Sequence, residues 1–589
     1  MAANSHSAIR DGNLLVEKDV TIPLMDGYML CCNVFRPDRD GRFPPIVVFT
    51  PYGKDSDVAV DFKRYWDFVL RDHPEVVREG STGKYLTWEV PDPERWVPAG
   101  YAMIVVDARG TGKSPGFYEM MAPLQTRDYY DAIEWAGTQP WSNGKVGLLG
   151  VSYLAVKQWQ VAALQPPHLA AMIPWEGMFD HYRDFYRHGG IYSSFFLKLL
   201  WDTQIATNQN GNAGSPYHDR FTGEVSTGDG LHPDLLAGNR ANVYEAGLQH
   251  PFDDAYFKLR TPLPERIEVP FLSSGNWGGL GLHLRGNVEA FEIAASHQKW
   301  LEMHTDTHFA SMYLPHAVSL QMKFFDHFLK GEDNGWEKQP PLILTIRDPR
   351  GFFRRDESDW PIARTKWIRY YLNAKDGALS IDAPAASSKT EYEALGDGVT
   401  LYSAPFVADA EFTGPIAAKL FVSTSTTDMD LFLTVRLFDP DRKEVTFVGA
   451  NDPQAPVSQG WLRISHRKID PERSHLYKPH HPHDEQHPVN PGAIYEVDVE
   501  IWPTSIVVPA GYQLALTIGG KDFERTDAQG LMKGSGLFLH NDPIDRPMDV
   551  FGGVHTIHTG GDFPSHLLLP LVPPGIALSN SSSGIGAAG

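Results

Sequence analysis

At 589 residues the chain is too long for one hydrophobic core, and it predicts roughly two to four domains. Its formal charge of −21 disfavours nucleic acid or an anionic membrane as partner, because both reward a basic surface. The only cysteines, Cys31 and Cys32, are neighbours that would point to opposite faces of a strand, which excludes a disulfide framework and fits a reducing, cytoplasmic compartment. The start of the chain has no apolar run long enough for a signal peptide, and no stretch of about 18 apolar residues occurs that could span a membrane.

In chain order, the first predicted strands are 20–24, 28–37 and the apolar run 44–51, separated by turns at Asp26-Gly27 and 38–42. Residues 101–107 read as a buried strand. The following Arg109-Gly110-Thr111-Gly112-Lys113-Ser114 lacks the spacing of a phosphate loop and suits a turn supporting a site. Apolar spacing at Tyr130, Ile133, Trp135 and Ala136 predicts a helix over 127–139. Residues 144–159 then carry the most informative pattern of the chain, an apolar strand running through Gly150-Val151-Ser152-Tyr153 straight into a helix. That is the pattern of a nucleophile elbow, in which a strained turn presents Ser152 above the sheet and Gly150 and Ala155 leave it room. Leu154 stands where the usual motif has Gly.

A strand over 169–174 ends at Trp175-Glu176-Gly177. Residues 178–262 lose strand patterning and predict an inserted helical cap. Strand character returns at 267–274, followed by Gly275-Asn276-Trp277-Gly278-Gly279, a helix over 286–296, a strand over 299–304 and a helix over 315–329. The alternation predicts a mainly parallel sheet with helices on both faces, built from 1–177 and 263–340, with reactive groups at the carboxyl ends of its strands. Beyond Pro340-Pro341 the pattern alternates with period two, which predicts an antiparallel sandwich or jelly roll over 341–575; 576–589 has the composition of a flexible tail.

A serine hydroxyl needs a base, and the base an orienting acid, in the chain order Ser, acid, His. The base belongs after the last parallel strand, where His304 reads as the strand end and His308 as a loop residue free to swing over Ser152; His308 is the expected base. Segments 25–37, 49–54, 105–116, 150–159, 324–331, 460–470, 491–505 and 510–518 together resemble the cocaine-esterase-like branch of the X-Pro dipeptidyl-peptidase family of serine hydrolases. That resemblance implies an α/β-hydrolase domain with a helical cap and a C-terminal jelly roll. It also implies an oxyanion hole made by the Tyr52 phenol and the Tyr153 backbone N–H. The family's acid is an Asp shortly after Gly-Trp-Tyr, whereas this chain has Gly279 there.

An acid one strand earlier can reach the same imidazole, since neighbouring strands lie only about 5 Å apart, so Glu176 is the expected triad acid. Asp180 and Asp306 are weaker candidates, and an ion pair with Arg183 is the competing role for Glu176. Trp175, Phe179 and Trp277 are expected to line the substrate pocket, with Tyr182, Phe185 and Tyr186 near the cap entrance. The histidine-rich tract 478–488 reads as a solvated loop, because its prolines prevent regular convergence of metal ligands.

These readings point to hydrolysis of a small-molecule ester or amide through an acyl-enzyme, with no metal or organic cofactor required. The alternatives are a dipeptidyl peptidase or an acyltransferase using the same residues, or a binding protein on a hydrolase scaffold that has lost its acid. No site for a free N-terminal ammonium is legible, which favours ester cleavage over dipeptide release. Association into a homo-oligomer stays open.

Overall fold

The computed structural model describes residues 8–525 and 538–574. The extreme N-terminus, read above as lacking a leader, and the 576–589 tail lie outside the described residues. In the first half of the chain a mostly parallel sheet carries the antiparallel pair Leu14–Pro23 and Met29–Pro37 at one edge. Across the sheet follow Ala102–Asp107, Pro45–Thr50, Val146–Val151, Leu169–Trp175, Phe271–Asn276, Lys299–His304 and Leu342–Asp348, all mutually parallel. Pro45–Thr50, Ala102–Asp107, Val146–Val151 and Phe271–Asn276 are buried along their whole length, which is why the first three are almost wholly apolar; the fourth, FLSSGN, buries Ser273, Ser274 and Asn276 as well. Val47, Ile104 and Leu148 join one apolar layer, and Val48, Val105 and Leu149 the other, as the two-residue repeat of a strand requires.

Helices Pro123–Gly137, Tyr153–Ala162, Leu284–Ile293 and Pro315–Phe325 match the predicted ones to within a few residues. The boundary expected at 340/341 falls inside the sheet. Leu342–Asp348 pairs with Lys299–His304 and then with the antiparallel Gly351–Glu357, because its alternation serves a sheet edge as well as a sandwich.

Two insertions rise above the carboxyl ends of the strands. The second, after Trp175, is mainly short helices (Ser194–Leu200, Pro233–Gly238, Val243–Gln249, Ala255–Lys258) with one small hairpin, Arg187–His188 with Ile191–Tyr192. The first follows Thr50 and holds the helices Val58–Asp61, Lys63–Asp72, Pro74–Arg78 and Pro93–Trp96. It has no counterpart among the elements predicted above.

The C-terminal region is a largely antiparallel β-domain. Its longest strand, Ala410–Thr424, pairs with Tyr495–Val508, Val554–Thr559 and His566–Val572, and Asp430–Phe438 lies between Ser458–Arg463 and Gln513–Gly519. These strands enclose a separate apolar core that includes Leu420, Leu433, Val499 and Leu516. The histidine tract is not solvated: His480, His481 and His483 are buried. Arg183 of the cap donates to the carbonyls of His481 (2.8 Å) and Pro482 (3.2 Å), while both ring nitrogens of His481 meet backbone carbonyls. Among the described residues no cluster of three or more metal-ligating side chains occurs, and no helix is long and apolar enough to cross a membrane.

Candidate active site

Ser152 sits between strand and helix at φ 59° and ψ −120°, a conformation that L-residues avoid and that costs about 1–3 kcal/mol unless the surroundings impose it. Here they do. Its N–H donates to the carbonyls of Trp175 and Glu176, both at 3.1 Å. A Cβ at Gly150 would stand 2.7 Å from that of Leu154, and one at Gly177 would stand 2.6 Å from that of Ala155. The turn therefore tolerates Leu154 because Gly150 faces it, and Gly177 leaves the matching room for Ala155. The hydroxyl is less open than expected, with Ser152 only 9% exposed. The first insertion crosses over the elbow, and the Val151 N–H donates to the Glu89 carbonyl at 3.2 Å.

The imidazole on the serine is His283, whose Nε2 lies 3.1 Å from Ser152 Oγ. It ends the glycine-rich turn before helix Leu284–Ile293. His308, expected in that place, is held elsewhere: its Nδ1 donates to Glu176 Oε2 at 2.8 Å, and its Nε2 to Glu89 Oε1 at 3.1 Å. The two rings are nearly parallel, with centroids 5.5 Å apart and 15° between planes. The loop bearing His308 is pinned by its own N–H on the Ala450 carbonyl at 2.9 Å, which fixes the ring toward the two glutamates.

The strand-end argument does bring Glu176 to His308. Glu176 follows Trp175, which pairs with Ser274 of the neighbouring strand, and its N–H donates to the Ser274 carbonyl at 2.7 Å. Its carboxylate is fully buried, with Oε1 also accepting from Ser311 Oγ at 2.9 Å and His304 Nε2 at 3.0 Å. Asp180 instead accepts the N–H groups of Tyr182 and Arg183 and pairs with the Arg183 guanidinium at 2.8 Å. Arg183 thus belongs to Asp180 and Asp253, leaving Glu176 to the histidines. Asp306 faces outward, 3.5 Å from His73.

Burial dominates the electrostatics, and the charges then sort the groups. Burial alone would raise the Glu176 carboxyl, but the flanking His308 and His304 hold it well below the usual range. Burial likewise opposes a charge on His308, yet Glu176 and Glu89 push its pKa up to about 10. His304 is pushed up to about 9, against burial, by Glu302 and Glu176. His283 goes the other way: burial, reinforced by the His308 charge, lowers it far below the ordinary imidazole value and keeps it neutral. Glu89 is raised by burial against the pull of His308. Two buried atoms here, Glu89 Oε2 and His283 Nδ1, have no hydrogen-bond partner among the described residues.

Tyr52 approaches from the end of strand Pro45–Thr50; its buried phenol interacts with the Ser152 hydroxyl, and its ring meets that of Tyr153 edge-on. Gly53 beside it has φ 93°, and a Cβ there would stand 3.0 Å from Asn208 Oδ1, so the turn holding Tyr52 needs glycine. The Tyr153 N–H is the first amide of the elbow helix, where amides are free to face a developing anion.

The aromatic residues expected to line the pocket lie elsewhere. Trp175 stacks on His304 and donates to Ser311 Oγ, Phe179 packs against Trp159 of the elbow helix, and Trp277 donates to the Thr345 carbonyl beside Trp360. Tyr182, Phe185 and Tyr186 pack within the cap, which buries its own aromatic residues. The chamber at His308 and Glu89 is walled chiefly by the first insertion and the 309–313 segment, with Tyr65, Trp66, Trp88, Phe309 and Tyr313. Beyond Phe309 a cavity of about 1000 Å³ opens between the Lys63–Asp72 helix, Asp306 and the 448–453 loop.

Sequence reasoning missed His283 and Glu89. The run after Trp277 carries one signal for His283, a lone histidine between a glycine-rich turn and a helix. Glu89 lies in the unread first insertion and left none.

Comparison with known proteins bears on this geometry. The X-Pro dipeptidyl-peptidase (S15) family matches residues 26–310, and the X-Pro dipeptidyl-peptidase C-terminal non-catalytic domain matches residues 334–568. Cocaine esterase of Rhodococcus sp. (strain MB1 Bresler) is 26% identical, with 95% of this chain and 99% of that protein covered. The crystal structure of a CocE/NonD family hydrolase from Staphylococcus aureus superposes with a TM-score of 0.81 at 32% identity, covering 95% of this chain and 94% of the other. An aminopeptidase from a Thaumarchaeota archaeon shares the fold, with a TM-score of 0.70 at 16% identity over 97% of this chain and all of the other.

Proposed function

Starting from a chain that belongs to the cocaine-esterase-like branch of the X-Pro dipeptidyl-peptidase (S15) family, and is a serine hydrolase, we propose that it cleaves a carboxylic ester of a small organic molecule through an acyl-enzyme on Ser152. The observation that carries this reading is the strained serine, held by its own backbone bonds with a neutral buried imidazole on its oxygen. Ser152 Oγ attacks the carbonyl carbon and loses its proton to an imidazole. The carbonyl oxygen takes the negative charge between the Tyr52 phenol and the Tyr153 N–H, the alkoxide leaves with the proton, and water releases the acid. Glu176 is the acid that serves the imidazoles of the site.

The ester rather than the amide is favoured by the likeness to cocaine esterase. For the C-terminal domain we propose a jelly roll, which the several antiparallel partners of Ala410–Thr424 support. The test is labelling with a fluorophosphonate beside hydrolysis of a panel of aryl and alkyl esters and an X-Pro anilide. Wild type should label and hydrolyse esters, and Ser152→Ala should do neither, with kcat lower by about four orders of magnitude or more. Equal labelling of Ser152→Ala would refute the nucleophile, and cleavage of the anilide alone would make the protein a peptidase.

A further inference from the structure

We propose that His283 is the catalytic base on Ser152, and that His308, clamped between Glu176 and Glu89, is a positioning residue that holds both carboxylates beside His283. The proposal rests on the nucleophile assigned above and deepens it. The expected arrangement would place the Nε2 of the loop histidine on the serine. Here that nitrogen donates to Glu89 at 3.1 Å while the opposite nitrogen donates to Glu176, so both edges of the ring are occupied by carboxylates. An imidazole donating from both nitrogens is an imidazolium, with no lone pair for a proton. His283 has the opposite character: it is buried, neutral and 3.1 Å from the hydroxyl.

What His283 lacks is an acid of its own, since its Nδ1 has no partner among the described residues. The nearest carboxylates are the two that the stacked His308 holds. Glu176 favours a proton on His283 while the His308 charge opposes it, so the carboxylates behind that ring, whose centroid lies 5.5 Å away, offset part of the opposition. The groups facing His283 are therefore His308 on its flat side, Glu176 and Glu89 behind that ring, and Ser152 on its edge. As the Oγ–C bond forms, the Oγ–H bond breaks and its proton moves to His283 Nε2, while the carbonyl π pair moves onto the oxygen facing Tyr52. When the tetrahedral adduct collapses, the C–O bond to the leaving group breaks and His283 returns the proton to that oxygen. Water then attacks the acyl carbon, giving a proton to His283 Nε2, and the serine oxygen leaves with that proton as the acid is released.

Ester hydrolysis by His283→Ala, His283→Gln, His308→Ala and His308→Gln, with melting curves to confirm folding, tests the assignment. Both His283 variants should lose kcat by about a thousandfold or more at little-changed KM, and added imidazole should restore part of the His283→Ala rate. His308→Gln should lose about ten- to a hundredfold because Glu176 and Glu89 lose the group that holds them, and it should move the pH–rate profile upward because the charge opposing a proton on His283 is gone; imidazole should not rescue His308→Ala. The assignment is overturned if imidazole rescues His308→Ala and not His283→Ala, or if His283→Gln keeps a tenth of the wild-type rate while His308→Gln loses a thousandfold. Ser152→Ala separates the two levels: wild-type hydrolysis by that variant would end the nucleophile reading whatever the histidines do.

Discussion

Two buried charge clusters stand at the same ends of the same strands, and they are built on opposite rules. Behind Tyr52, Lys18, Lys54 and Lys113 interlock with Asp19, Asp55 and Asp219. Lys18 reaches Asp55 at 2.8 Å, Lys54 reaches Asp19 at 2.6 Å, and Lys113 reaches Asp19 at 2.8 Å and Asp219 at 3.3 Å, with closer pairs between Lys18 and Asp219 and between Lys54 and Asp55. Every ammonium there has at least two carboxylates. Around Ser152 the cluster is unsaturated: two imidazoliums, His304 and His308, share three glutamates, one imidazole is neutral, and two polar atoms have no partner among the described residues. A fully paired lattice has no spare capacity and fixes the Tyr52 turn and the Asp219 loop in place. An incompletely paired one keeps a site able to accept a proton, and buried groups are left in that state where chemistry needs them.

The contrast can be broken from either side. The largest effect should come from Glu176→Gln, which removes the charge common to His304 and His308; kcat for ester hydrolysis should fall about a thousandfold, and the melting temperature near neutral pH should fall with it because both histidines lose a buried partner. Lys18→Met attacks the other cluster and should lower stability by about 3 kcal/mol in urea titrations with only a modest change in kcat. Its cost sits at the low end for a buried pair because Asp55 keeps Lys54 and Asp219 keeps Lys113.

A smaller effect separates the clusters by pH. The folded pKa values of His308 and His304, about 10 and about 9, lie above the unfolded value of about 6.5. Their contribution to stability is therefore complete below about pH 6.5 and is lost as pH rises toward 9–10. Melting temperature should fall across that window in wild type and fall less in Glu176→Gln; an equal fall in both would remove these histidines as the cause. The smallest expected effect is that of Glu89→Gln, about tenfold in kcat, because His308 keeps Glu176.

The sheet was legible because its central strands Pro45–Thr50, Ala102–Asp107 and Val146–Val151 are buried on both faces and therefore almost wholly apolar, and the elbow because strain at Ser152 demands glycine at 150. Glu176 was legible by geometry alone, since strand pairing places Trp175 beside Ser274 and the next residue at the mouth of the site. The first insertion was not, since helices of four to ten residues carry too few turns for a 3.6-residue repeat to emerge from an aromatic-rich background. His283 escaped for a related reason. A glycine-rich turn fixes its neighbours through backbone dihedrals, which leave no periodic trace. His304 was read only as the end of a strand, yet the same strand direction that ends there delivers it between Glu302 and Glu176.

The amide of His308 hangs on the Ala450 carbonyl, and the Ala450 amide in turn on Gly278 (3.2 Å), so the loop that presents the imidazolium is suspended from the β-domain. The cap is tied to the same partner through Arg183. Cutting the chain after the parallel sheet would leave the elbow intact but release both the roof and the charged ring beside the base. For this molecule the minimal working unit is the two-domain whole, and the half that contributes no reacting atom is the frame on which the other half's side chains are hung.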